Sequence, residues 1–296
     1  MFTELFAEAG LSLDRLRALV EVGASGSIVK ATGADPVKQS QYSRQIKELE
    51  NFFRTKLVER HGRGVRLTSN GKELARISRF VLLGLSNFRR GCLKQDQTFC
   101  IGSSATVIRQ FLIPALATRK HNIRFSLEVV AEDEIERRLH DLTLDFGIVT
   151  RAALSRPLQT TELGETNLNL WVPKALFESH DGAYRAFKER RLPMVLAESE
   201  LEAVQCPTLT GHLAHLSCTS FLEARAALEG RALATVLPDF LKLEGDQQLF
   251  LRLSVTDVKM QFRLAWNPRL LRLNPLARRR RDVLWTSLVG AFNAGK

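Results

Sequence analysis

The apolar residues of segment 42–53 recur at spacings of four, three and four, which places them on one face of a helix. They are Tyr42, Ile46, Leu49 and Phe53. The spacing predicts a helix with one buried stripe. At 100° per residue the opposite face carries Ser40, Arg44 and Lys47, and its first turn begins with Lys38 and Gln39. That opposite face is polar and basic.

Two shorter helices are predicted before this one. Leucine and valine recur at helical spacing over residues 13–20 and end at a glycine-rich stretch, residues 23–26. Ser27 is placed to cap a second helix over residues 28–32, and a turn at residues 33–36 stops it. Two short helices, a tight turn and a third helix make a helix-turn-helix, whose last helix fits the DNA major groove.

A basic hairpin is predicted after the third helix. Residues 60–66 contain two glycines that bracket Arg63, between short apolar runs. This pattern predicts a β-hairpin wing that places Arg63 on a phosphate or in the minor groove. The alternative is an ordinary surface hairpin.

The positive charge of the chain is concentrated in the same region. The whole chain has a formal net charge of +11. Residues 1–95 hold 17 Lys and Arg against nine Asp and Glu, a net charge of +8, whereas the other 201 residues hold 26 against 23, a net charge of +3. An excess confined to one segment is typical of a module that binds a polyanion. The alternative is a solvated basic face.

A long amphipathic helix is predicted to begin at Thr68-Ser69-Asn70-Gly71. Its apolar face holds Leu74, Ile77, Val81, Leu85 and Phe88. A helix of this kind between two domains pairs with a second copy of the chain or packs on its own domain.

Several short blocks of the first 71 residues occur in a fixed order. They are 26–31, Gln39, 43–50, Leu57, 59–60, 64–68 and Gly71. These blocks resemble the N-terminal domain of LysR-type transcriptional regulators. The resemblance implies a winged helix-turn-helix, a dimerising linker helix and a two-lobe α/β effector domain of periplasmic-binding-protein type, assembled as a dimer of dimers. The chain is a divergent member, because Thr32, Asp35, Ser40, Arg54 and Val58 depart from the family pattern.

After residue 96 the pattern changes to strands alternating with helices, which predicts a parallel sheet and an α/β fold. Strands are predicted at 99–102, 125–130, 146–149, 194–197, 215–218, 233–238 and 262–266, and helices at 106–118, 135–142, 221–228 and 276–292. We expect a DNA-binding domain over 1–68, a linker helix over 69–94 and a two-lobe effector domain over 95–296.

The helix face and the wing supply the expected DNA contacts. Base edges are expected to meet Gln39, Ser43 and Arg44, because Gln and Arg form bidentate hydrogen bonds with bases. Phosphate or minor-groove contacts are expected from Ser40, Gln41, Lys47, Arg60, Arg63 and Arg66.

The effector site is expected where the first strand of the α/β domain ends. Ser103, Ser104 and Thr106 offer hydroxyls and backbone N–H groups to an anion, and the resemblance puts the effector site there with Asp133 opposite. The alternative is plain helix capping.

The acidic run 132–134 would repel an anionic effector unless Arg137 or Arg138 pairs with it. The resemblance implies a helix that closes the cleft, and we expect residues 198–214 to offer no room for it. We therefore expect a cationic effector or a degenerate site.

No enzyme motif, cofactor motif or standard metal pattern is present in the sequence. Cys206, His212, His215 and Cys218 match no zinc spacing. Cys206 and Cys218 also resemble the cysteine pair of the peroxide-sensing branch of the family, so a redox-responsive regulator is an alternative. We expect no catalysis, no cofactor and no bound metal.

Expected partners are double-stranded DNA, further copies of the chain in a homodimer or homotetramer, RNA polymerase and a small-molecule effector. No apolar run approaches the roughly 18 to 20 residues of a membrane span, and the first ten residues lack a signal-peptide pattern, so we expect a cytoplasmic protein without a membrane partner. The competing class is a two-lobe small-molecule binding protein without DNA function, which leaves residues 13–92 unexplained.

Overall fold

The computed structural model describes residues 3–61, 64–93, 97–117, 124–151, 153–241 and 246–294, and the chain divides into two units at residue 95. Each unit has its own hydrophobic core. The expected wing residue Arg63 lies outside the described residues.

Helices make up most of the N-terminal unit. They are α1 (Thr3–Ala7), α2 (Leu13–Ser25), α3 (Ile28–Ala31), α4 (Pro36–Phe53) and α5 (Ser69–Cys92). An antiparallel hairpin of β1 (Val58–His61) and β2 (Gly64–Leu67) connects the last two. Leu19 of α2, Leu49 of α4 and Ala75 of α5 meet in one buried cluster. The predicted helix-turn-helix and hairpin are confirmed.

The turn before α4 is fixed by Asp35. Its carboxylate accepts hydrogen bonds from the backbone N–H groups of Val37 and Lys38, at 2.9 and 3.3 Å, which caps the helix. The expected cap at Ser27 is wrong, since that side chain makes no capping hydrogen bond to α3. The short helix is instead closed from its other end, where the hydroxyl of Thr32 donates to the carbonyl of Ile28 at 2.8 Å.

Helix α5 begins where the sequence predicts. The hydroxyl of Thr68 accepts from the backbone N–H of Gly71 at 3.0 Å and donates to the carbonyl of Lys56 at 2.7 Å. Thr68 therefore caps α5 and ties its first turn to the residues before the hairpin.

The C-terminal unit contains two lobes. The first lobe has a sheet in the order β4 (Arg124–Val129), β3 (Thr98–Ser103), β5 (Phe146–Val149), β11 (Lys259–Trp266) and β6 (Gln159–Pro173). β4 and β5 run parallel to β3, whereas β11 is antiparallel to β5 and β6.

One long strand serves both lobes. The first part of β6 pairs with β11, and its last residues pair with β9 (Thr235–Pro238) and β10 (Phe250–Leu253) of the second lobe. The remaining strands of that lobe are β7 (Met194–Ala197) and β8 (Ala214–Cys218), which are parallel. Strands β5 and β7 have the predicted bounds, whereas neither β6 nor β10 was predicted.

The helices of the C-terminal unit cover the sheets. They are α6 (Ala105–Val107), a π-helical turn (Ile108–Leu112), α7 (Ile113–Ala117), α8 (Glu132–His140), α9 (His180–Lys188), α10 (Glu198–Val204), a 3-10 turn (Pro207–Leu209), α11 (Phe221–Glu229), α12 (Asp246–Leu249), α13 (Pro268–Leu273) and α14 (Pro275–Ala294). The expectation of no helix in residues 198–214 is wrong, because seven residues suffice for α10 directly after β7.

The largest core lies in this unit. The rings of Phe111, Phe262 and Phe292 join the helical segment after β3 to β11 and α14, with centroid distances of 3.9 Å for Phe111 to Phe292 and 4.7 Å for Phe262 to Phe292. Among the described residues, no helix has the length and apolar character needed to span a membrane.

Candidate functional site

The outer face of α4 presents the expected DNA-contact side chains together. Ser40, Ser43 and Lys47 are exposed, and the side chain of Arg44 is 83% exposed. Gln41 is also exposed, at the edge of this face, while Gln39 is half-buried. The inner stripe holds the helix in place through the fully buried Ile46 and Leu49.

The predicted inner-face residue Tyr42 is only half-buried. Its hydroxyl donates a short hydrogen bond to the carboxylate of Glu21 on α2. This bond, together with burial, raises the pKa of Tyr42 above its ordinary value. A polar contact thus joins the first and third helices of the motif at its rim.

Arg44 is already oriented by a neighbouring carboxylate. Its Nε donates to Glu48 at 2.9 Å, and Glu48 also binds Arg15 of α2. The hydrogen bond from Arg44 is the main cause that lowers the pKa of Glu48. Because the pair uses Nε, the guanidinium can present its terminal nitrogens to a base edge without breaking the pair.

The hairpin carries two further expected contacts. Arg60 pairs in register with Val65 and is exposed. Arg66 forms an ion pair with Glu59, with Nε and Oε1 2.5 Å apart. The positive charge of the hairpin is therefore partly compensated within the protein.

Helix α5 exposes an apolar stripe. The exposed fractions are 48% for Ile77, 39% for Val81, 50% for Leu85 and 74% for Phe88. These residues lie three or four positions apart and so share one face. A face this apolar is suited to pairing with another helix.

The C-terminal unit contains a cleft of about 400 Å³ between its lobes. Polar and charged residues of both lobes line it: Ser103, Ser104, Glu132, Asp133, Thr150, Arg151, Ser199, Glu200, Glu202, Thr219 and Ser220. A cavity of this volume is sized for a small metabolite.

The four expected effector residues differ in their positions. Asp133 is exposed and lines the cleft, as does the half-buried Ser104, whose hydroxyl caps the following helix. Ser103 also lines it, but its hydroxyl donates to the carbonyl of Ile148 at 3.1 Å. Thr106 is fully buried, and its hydroxyl donates to Glu200 at 2.8 Å.

The acidic run at the start of α8 is only partly neutralised. Arg137 pairs with Glu134, with Nε 2.8 Å from Oε2, whereas Arg138 pairs with Glu128 of β4. Glu132 accepts from the hydroxyl of Thr150 at 2.7 Å and from backbone N–H groups. Since those donors are neutral, Glu132 brings a negative charge to the cleft wall.

Glu200 is the cleft residue that sequence reasoning missed. It lies on α10, a helix that was not expected. The apolar pair Leu201 and Val204, three positions apart directly after a buried strand, was the available signal for this helix.

The cysteine and histidine residues of the second lobe do not form a metal site within the described part of the chain. His212 stacks on Phe187 with ring centroids 4.4 Å apart. Cys218 is half-buried, and its pKa is raised by burial and by the charge of Glu223. Peroxide-reactive thiols need a lowered pKa, so the environment of Cys218 disfavours a redox role.

Residues 13–72 match the family model described as bacterial regulatory helix-turn-helix protein, lysR family. The HTH-type transcriptional regulator HdfR of Yersinia enterocolitica serotype O:8 / biotype 1B is 23% identical over 224 residues, which are 70% of this chain and 76% of that protein.

Solved structures share the fold over almost the whole chain. ArgP from Mycobacterium tuberculosis superposes with a TM-score of 0.67 at 18% identity, covering 94% of this chain and 97% of that one. Full-length LysG from Corynebacterium glutamicum, with bound effector Arg, superposes with a TM-score of 0.62 at 16% identity. This superposition covers 96% of this chain and 99% of that one. Residues 13–72 therefore match the helix-turn-helix of the LysR family, and the chain as a whole is similar to LysR-type transcriptional regulators.

Proposed function

We propose that residues 1–68 bind operator DNA, that 69–94 form the dimerising linker helix and that 95–296 form the effector domain. Base edges meet Gln39, Ser43 and Arg44. Phosphates or the minor groove meet Ser40, Gln41, Lys47, Arg60, Arg63 and Arg66. The observation that carries this proposal is the exposed polar face of α4 opposite the buried Ile46 and Leu49. Such a protein works in the cytoplasm, where the bacterial chromosome lies.

Replacing Arg44 by alanine should weaken operator binding by about 1 to 3 kcal/mol and relax the preference at one base pair, because a bidentate contact is lost. Fluorescence anisotropy titration against the operator and against single-base variants of it measures both effects. Arg44→Lys keeps the charge but not the planar fork, so it should restore only part of the affinity.

Arg17→Ala on α2 is the matched control for Arg44→Ala. It removes the same charge from another exposed arginine of the same unit, with a side chain 57% exposed. Its isotherm should stay close to that of the wild type. An Arg44→Ala isotherm identical to the wild-type one would refute the assignment of α4 as the recognition helix.

The apolar stripe of α5 supports dimerisation through this helix. Leu85→Asp places a carboxylate in the stripe, and we expect sedimentation velocity to show a smaller assembly together with weaker operator binding. Arg90 lies on the opposite side of the helix, so Arg90→Asp should leave the assembly unchanged. Equal sedimentation of Leu85→Asp and the wild type would rule out this interface.

The charge of the cleft favours a cationic effector. Four carboxylates line it, those of Glu132, Asp133, Glu200 and Glu202, and Arg151 is the single cation among the described lining residues. A ligand with an ammonium or guanidinium group reduces the repulsion among these carboxylates. LysG, which has the same fold, is known with arginine bound. Calorimetric titration that shows tight binding of a simple aromatic or dicarboxylic acid would contradict this proposal.

A further inference from the structure

A single carboxylate oxygen joins the two lobes of the C-terminal unit. Oε2 of Glu200, on the second lobe, accepts from the hydroxyl of Thr106 on the first lobe at 2.8 Å. The same oxygen accepts from the backbone N–H of Phe221, the first residue of α11, at 2.6 Å. Glu200 is only 6% exposed although it lines the cleft.

The groups that surround the Glu200 carboxylate are hydrogen-bond donors of the kind that make an anion-binding site. A helix N-terminus and a hydroxyl are the donors that bind carboxylates, and neither carries a charge here. The neighbouring N–H groups of Ser220 and Glu223 are also occupied from within the chain. Ser220 and Glu223 form a reciprocal capping box, in which Glu223 also accepts from Thr219. The chain itself therefore supplies the carboxylates at this end of the cleft.

The second carboxylate oxygen of Glu200, Oε1, differs from Oε2 in its hydrogen bonding. Oε1 of Glu200 is buried and has no hydrogen-bond partner among the described residues. Burial raises the pKa of Glu200, against the opposing effect of the hydroxyls and N–H groups around it. A buried side chain with an unsatisfied polar atom is costly to keep, so its presence in the cleft wall suggests a role in ligand recognition.

We propose that Glu200 is a specificity-determining residue, a built-in carboxylate that occupies the anion position between Thr106 and Phe221 and so excludes free carboxylate ligands. This inference rests on the proposed effector function of the cleft. It adds the reason why the hydroxyl of Thr106 is not free to donate to an effector: the carboxylate of Glu200 already accepts its hydrogen bond.

The test is chemical rescue in the full chain. Glu200→Ala removes the carboxylate and leaves the hydroxyl of Thr106 and the N–H of Phe221 free to bind a small anion. We expect propionate to bind this variant at least tenfold more tightly than the wild type by calorimetry, and to raise its Tm by several degrees more. Glu198→Ala is the matched control, because Glu198 is an exposed glutamate on the same helix and is not among the described residues that line the cleft. It should respond to propionate as the wild type does.

Glu200→Gln tests whether propionate is excluded by the space that the side chain fills or by its negative charge. The amide fills the same space, so this variant should reject propionate as the wild type does. Equal propionate binding by Glu200→Ala and the wild type would overturn the inference, and so would propionate binding by Glu200→Gln as tight as by Glu200→Ala. If Glu200→Ala does not fold, Glu200→Ser with acetate as the probe makes the same measurement.

A second titration keeps the two proposals apart. Agmatine carries a guanidinium and an amine but no carboxylate, and we expect it to bind the wild-type cleft. Propionate rescue without agmatine binding would uphold the role of Glu200 and count against the cationic effector. Agmatine binding without propionate rescue would support the cationic effector and count against the role of Glu200.

Discussion

Replacing Gly71 by alanine should destabilise the N-terminal unit by roughly 3 kcal/mol, at the upper end of the usual cost of overpacking. A Cβ at this position would lie 1.9 Å from the carbonyl oxygen of Leu57 and 2.9 Å from its carbonyl carbon. Neither atom can move away easily, because the same carbonyl accepts from the backbone N–H of Thr68 at 3.0 Å. Amide hydrogen exchange of peptides over residues 57–75 in the full chain measures this loss of stability.

The sign of this effect is informative. Glycine to alanine inside a helix normally stabilises by about 0.5 to 1 kcal/mol, because alanine loses less conformational entropy. Gly290 of α14 provides the matched control, since a Cβ there would meet nothing within 4 Å. Gly290→Ala should be neutral or stabilising. Wild-type exchange protection in Gly71→Ala would show that the first turn of α5 does not pack on Leu57 in this way.

The helix-turn-helix could be predicted because its information is local. The buried stripe of α4 and the cap at Asp35 lie within a few residues of the structure they specify. Strands β5 and β7 were predicted with the right bounds for a related reason. All four residues of each are buried, and an uninterrupted short apolar run indicates a central parallel strand.

Strand β6 was missed because its pattern depends on distant partners. Its first part, over residues 159–167, carries many polar and half-exposed side chains, and β11, about 100 residues later, provides its pairing. Helix α10 was missed because seven residues with three glutamates show too little periodicity for a helix prediction. Tertiary contacts decide both elements.

The effector residues show the same limit at the level of single side chains. The strand-to-helix turn at Ser103 and Ser104 was predicted correctly, since a strand that ends in small hydroxyl residues before a helix is a local signal. That Thr106 binds Glu200, 94 positions away, depends on how the two lobes meet. No local pattern contains this contact.

Operator affinity should fall by about three to four orders of magnitude when salt is raised from 50 to 200 mM. The proposed phosphate and minor-groove contacts include four cations in each protomer, those of Lys47, Arg60, Arg63 and Arg66. A dimer that places six to eight of them on phosphates releases as many counterions, which gives a slope of about −5 to −7 in log K against log salt. Agmatine binding to the cleft involves few charges and should change much less over the same range.

The slope can be assigned to the hairpin by substitution. Arg60→Ala should make it shallower by about 2 for a dimer, one for each protomer, if Arg60 meets a phosphate. Arg278→Ala removes the same charge from an exposed position on α14 and should leave the slope unchanged. Glu59→Gln releases Arg66 from its ion pair, so it should strengthen operator binding. A slope equal for Arg60→Ala and Arg278→Ala would mean that Arg60 does not contact a phosphate of the operator.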